Sequence, residues 1–147
     1  MTDDFTASSE FADFFFLAID HGFASVEDGG GPLIPFAMTV GRNGERVLTR
    51  FAMERLELGV ARAREFVAEH LETTAMYALA WDGFVTLHGE RTDAVLVEAA
   101  DRSEANAVLF CQRYAKTKSA ILRRTKCHRI GNPALIGRPP SLYAGGG

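Results

Sequence analysis

The chain has 147 residues, 47% of them hydrophobic and 24% charged, which places it among globular domains long enough to hold one core. Its longest uninterrupted apolar stretch, residues 14–19, is far short of the ~18 residues that span a bilayer, and Asp3 and Asp4 stand where a signal peptide carries positive charge. The net charge of -3 conceals a split: residues 1–104 hold all 19 acids and only eight bases, whereas residues 105–147 hold the other eight bases and no acid.

Two cysteines, Cys111 and Cys127, are too few for a disulfide-stapled secreted fold, and a reduced, cytoplasmic setting without membrane attachment is expected. Eleven Phe argue against disorder over the body of the chain. Residues 1–8 read as a flexible N-terminus, 9–138 as a single domain and 139–147 as a flexible tail that ends in three glycines.

Ser8 or Ser9 can cap a helix whose spacing gathers Phe11, Phe15, Ala18 and Ile19 on one face, with Gly22 as its stop and His21 at its C-terminus, favoured there by the dipole. Phe14 and Phe16 fall partly off that face. The helix must therefore bury two sides or meet another chain, and Phe14, Phe15 and Phe16 are the candidate oligomer contacts. Gly29, Gly30, Gly31 and Pro32 then form a linker; no Lys-Ser/Thr follows to make it a phosphate loop.

Residues 36–40 and 45–51 read as a hairpin around Asn43-Gly44, pairing Val40 with Val47, Met38 with Thr49 and Phe36 with Phe51. Arg46 and Arg50 then share the opposite face. From residue 53 to 71 the period becomes helical: Leu56, Val60, Ala63, Val67 and Leu71 form the apolar stripe, and Glu65, Glu69 and Glu72 a solvated face. No His shares the acidic stripe at metal-binding spacing, and no metal or cofactor is expected.

A meander follows, with strands at 75–81 and 84–88 joined by Asp82-Gly83, then 93–100 and 107–114. In Ala94-Val95-Leu96-Val97 both faces are apolar, which marks a central strand. Residues 119–130 fit either a short basic helix capped by Ser119 or a last strand. The fold expected is α+β: two helices on an antiparallel sheet of five or six strands, in the order helix, hairpin, helix, meander.

Few residues invite chemistry. Glu98 is an acid in a two-sided apolar strand, where it needs a partner. A metal-binding pair with Asp93 fails because the two have opposite strand parity, and Ala100 stands where a nuclease motif wants Lys. A C-terminal arginine is the expected partner. Cys111 with His88 or His128 as base is a nucleophile candidate, although Cys111 reads first as a core residue. The stretch 113–129 carries Arg113, Lys116, Lys118, Arg123, Arg124, Lys126 and Arg129, an anion or nucleic-acid site unless the acids of the second helix neutralise it.

Three functional readings follow. The first is a small binding or accessory module that self-associates as a dimer, with or without a further protein partner. The second is a ligand-binding or hydrolytic protein with a pocket between helix and sheet, using Glu98, His88, His128 or Cys111. The third, less favoured, binds nucleic acid or another anion through the basic stretch.

Overall fold

Ser8 caps the first helix by accepting a hydrogen bond from the Phe11 N–H at 3.1 Å. The helix, α1 (Ser9–Glu27), buries Phe11, Phe14, Phe15, Ala18, Ile19, Phe23 and Val26. These positions come from a computed structural model that describes residues 7–29, 31–118, 121 and 123–144. Residues 1–6, Gly30, the Ser119 cap and the terminal glycines lie outside the described residues.

After α1 come β1 (Phe36–Gly41), β2 (Arg46–Arg50), α2 (Leu56–Glu69), a 3-10 turn (Leu71–Thr73), β3 (Thr74–Leu87), β4 (Glu90–Asp101), β5 (Val108–Lys118), β6 (Thr125–Arg129) and β7 (Ala134–Gly137). The antiparallel sheet runs β2-β1-β3-β4-β5-β6, and β7 also pairs with β5. The α+β architecture is thus as expected, with one strand beyond the five or six anticipated, because 134–137 joins the free edge of β5 below β6. The basic stretch ends in a strand, β6.

Strand alternation sends the sheet's residues to two helices. Met76, Ala78 and Ala80 of β3, Val95, Val97 and Ala99 of β4, and Val108 and Phe110 of β5 pack under α1. Tyr77, Leu79 and Ala100 on the other face pack with Ala63 and Val67 of α2. β4 is covered on both sides, as its apolar run implied.

Gly22 does not stop α1. It lies within the helix, where an added Cβ would sit 2.8 Å from Val95 Cγ1, so its role is to let α1 approach β4. His21 is accordingly not at the C-terminus: its Nε2 lies 3.2 Å from Arg50 Nη2. Arg has no acceptor, so Nε2 accepts, and burial, then the Arg50 charge, hold the imidazole below its ordinary value.

Two turns also differ. In the first hairpin Gly41 N–H donates to Glu45 and Gly44 N–H to Gly41, so three residues form the loop and Gly44, at φ 86°, takes the left-handed position. Pairing shifts by one: Met38 faces Leu48 and Phe36 faces Arg50. A slip of one reverses a strand's faces, so Leu48 packs under α1 where Val47 was expected, and Arg46 and Arg50 share that side. Asp82-Gly83, expected as a turn, lies inside β3, which runs unbroken to Leu87. The hairpin closes at His88-Gly89, whose φ values of 54° and 77° are those of a two-residue primed turn.

The segment 139–144, read from sequence as the start of a flexible tail, is docked. Ser141 is buried, Leu142 N–H donates to the Tyr77 hydroxyl at 3.0 Å, and the Tyr143 hydroxyl donates to Thr74 O at 2.9 Å. No helix among the described residues is long and apolar enough to cross a membrane.

Candidate functional site

Glu98 is buried, and its partner comes from α2 and not from the C-terminal arginines expected. Arg64 grips both carboxylate oxygens at 3.0 and 3.1 Å, and the Tyr77 hydroxyl donates a third bond at 3.2 Å. Because Tyr77 also accepts from Leu142, the network ties α2, β3, β4 and the C-terminal segment together. Burial is the main cause that pushes the Tyr77 phenol up. All four groups are engaged with one another, which makes the network a structural clamp. The Asp93–Glu98 pair is excluded by geometry, since Asp93 is paired with Tyr114 on the α1 side while Glu98 meets α2.

The nucleophile candidates do not converge. Cys111 is buried beside Leu96 and Ala134, and burial raises its thiol, the reverse of activation. His88 occupies the β3–β4 turn. His128 is exposed on β6 opposite Ala115, with Nε2 2.9 Å from Thr117 Oγ1. Ala115 is four residues along β5 from Cys111, or about 13 Å of strand. Among the described residues no group of three His, Cys, Asp or Glu is placed to hold a metal ion.

The aromatic trio divides. Phe14 and Phe15 are core, with the Phe15 ring stacked on Phe110 at 4.7 Å, whereas Phe16 is 43% exposed and 5.7 Å from the same Phe110 ring. Leu135 of β7 faces Phe110 across the strands and is also 43% exposed. Phe16 of α1 and Leu135 of β7 thus both border Phe110 of β5.

The basic stretch is neutralised only in part, and by α1 rather than α2. Arg129 donates to Asp20 at 2.9 Å and lies over the Phe23 ring, and Lys126 meets Asp28 at 3.9 Å. Glu65 and Glu69 of α2 are held by Arg62, 4.0 Å and 3.3 Å away. Among the described residues Lys116, Lys118, Arg123 and Arg124 enter no ion pair.

A cleft that sequence reasoning missed opens between β4 and β5. Their ladder ends at Asp93 and Tyr114; beyond it β4 continues only with β3, and β5 only with β6. On the α1 side the parting leaves a cavity of about 240 Å³ lined by Pro32, Leu56, Phe84, Asp82, Asp93, Tyr114 and Lys116, among others. Asp82 is fixed by two donors, Leu33 N–H at 3.0 Å and the Tyr114 hydroxyl at 2.7 Å. Burial first, then that bond to Asp82, push the Tyr114 phenol far up, so it remains a donor. The available signal was an acid and an aromatic in strands separated by one, β3 and β5, hidden while Asp82 was assigned to a turn. Comparisons with protein-family models, with curated proteins and with solved structures find no match to this chain.

Proposed function

We propose that the protein is a binding module that associates with itself and performs no chemistry of its own, in the reduced cytoplasmic setting expected from its cysteines. The observation that carries this reading is the contrast between two edge strands, β2 at one end of the sheet and β7, which shares the other end with the basic β6. At the β2 edge, antiparallel pairing with a second copy about Leu48 would set Arg46 against the partner's Arg50, so like charges oppose self-association there. The β7 edge, Ala-Leu-Ile-Gly, carries no charge and exposes Leu135 and Ile136, and its Leu135 shares Phe110 as a neighbour with the exposed Phe16. Two copies of that edge bring only apolar side chains together. Sedimentation equilibrium of Leu135→Glu and Val47→Glu tests this: the first variant is expected to be monomeric and the second to match wild type. Equal behaviour of the two would count against the β7 edge.

A second reading is supported by the unpaired cations. β5 and β6 run past Tyr114 as a two-stranded ribbon that carries Lys116, Lys118, Arg123 and Arg124 beside an exposed Ile121, a surface suited to a polyanion. Its test is a gel shift with duplex DNA and RNA. Arg123→Ala with Arg124→Ala should weaken binding and flatten its salt dependence; a shift insensitive to both removes the reading.

A further inference from the structure

The cleft at the parting of β4 and β5 brings opposite charges to one small cavity without letting them meet. Asp93 on β4 and Lys116 on β5 both line it, yet among the described residues no ion pair within 4.0 Å joins Lys116 to Asp93 or Asp82. Asp82 is locked by Leu33 and Tyr114, so it cannot swing toward the ammonium. Two carboxylates and one ammonium are therefore held around a space that none of them fills.

The walls are apolar. Phe84 is 60% exposed with one ring face taken by Arg91 at 4.5 Å, and Leu56, 36% exposed, stands with Pro32 at the rim. Isolated exposed apolar side chains are ordinary, but these border the same cavity as the fixed charges, the combination that marks ligand sites. The volume of about 240 Å³ lies below the ~300 Å³ of drug-sized pockets, so the occupant is small. A simple cation would answer the carboxylates but leave Lys116 without a counter-charge, and a simple anion would face both Asp82 and Asp93, so a ligand that carries both charges fits the lining best.

We propose that this cleft binds a small zwitterion with an ammonium and a carboxylate on an apolar frame, the chemistry of a free apolar amino acid. The ammonium meets Asp93 and the outer lone pairs of Asp82, the carboxylate meets Lys116, and the apolar part lies between Phe84 and Leu56. The site is independent of self-association and uses none of the ribbon's other cations.

Calorimetric titration with L-phenylalanine and L-leucine tests the assignment, with L-phenylalanine amide lacking the carboxylate charge and 3-phenylpropionate lacking the ammonium. Saturable binding of at least one amino acid is expected, with its single-charge analogue at least about tenfold weaker, as for loss of a charge-assisted contact. Asp93→Asn and Lys116→Met should each weaken binding by a similar factor while melting as wild type does; both side chains lie at the cleft rim, and Phe84→Ser provides a third, exposed position where weakening is expected. Absence of saturable binding by either amino acid, equal binding of the amide or the propionate, or unchanged affinity in either charge variant would overturn the proposal.

Discussion

Replacing Arg64 by Met removes the clamp on Glu98 while keeping an unbranched apolar stem in place of the aliphatic part of the side chain. The Glu98 carboxylate, 5% exposed, would be left with the Tyr77 hydroxyl as its one remaining donor, having lost both bonds from the guanidinium. Removing one member of a buried ion pair costs about 3–5 kcal/mol; the Arg64 side chain is 40% exposed, so solvent screens the site and about 2–3 kcal/mol is expected. At roughly 2–4 °C per kcal/mol for a domain of this size, Arg64→Met should melt about 4–12 °C below wild type by circular dichroism. Combining it with Glu98→Gln should recover part of the loss, because no buried charge then lacks its partner, and the cycle should give a coupling of at least about 1 kcal/mol. A loss under about 0.5 kcal/mol, or strict additivity in the cycle, would refute the clamp.

Three further outcomes follow from the packing. Gly22→Ala gains about 1 kcal/mol of helix propensity but drives a methyl to 2.8 Å from Val95 Cγ1, and a net loss of about 1–2 kcal/mol in urea unfolding is expected; a stabilised variant would contradict the close approach. Truncation after Arg138 deletes the Leu142 and Tyr143 hydrogen bonds to β3 and should lower the unfolding free energy by about 1–3 kcal/mol, read as a lower urea midpoint, whereas an unchanged midpoint would mean that 139–144 is not docked. Burial raises the Cys111 and Cys127 thiols above their ordinary 9.0 and pushes the Tyr143 phenol from 10.0 to about 12. In each case the unfolded chain releases its proton first, so stability is full below pH 9 and falls as pH rises through 9 to 12. A melting temperature flat across that window, with native thiols alkylated as fast as unfolded ones, would contradict it.

Much of this fold is legible where hydrophobic period and burial agree. The Ser8 cap with its phenylalanine stripe, the α2 stripe of Ala63 and Val67, and the two-sided apolar run of β4 each follow from a physical requirement that one element must meet alone. The errors arise at glycines, because a glycine answers several needs. Gly22 looked like a helix stop but serves contact with Val95, and Gly83 looked like half of a turn yet lies flat in β3, where a Cβ would be 2.9 Å from Leu96. The turn went to His88-Gly89, where a non-glycine residue takes a positive φ. For the candidate sites, Glu98 could be flagged as an acid that needs a partner, because burial of a charge is readable from its neighbours in the strand. Arg64 could not be singled out, since its pairing depends on how α2 crosses the sheet. The cleft was hidden for a related reason: placing Asp82 in a turn removed it from the register that sets it near Tyr114.

The charge split also takes a different form in three dimensions. The expected match between the basic stretch and the acids of α2 is replaced by Asp20 of α1 and Asp28 just beyond its end, which answer Arg129 and Lys126 and leave the outer ribbon cationic. That leaves β2 guarded by arginines at one end of the sheet and, at the other, an uncharged β7 beside the basic β6, and the proposed self-association through β7 rests on that difference. Light scattering of the eluting wild-type protein, over a wide range of loading concentrations, measures it directly. A mass of twice 16.1 kDa that falls to the monomer value with Leu135→Glu is the expected result, and a wild-type mass of 16.1 kDa at every concentration would contradict it.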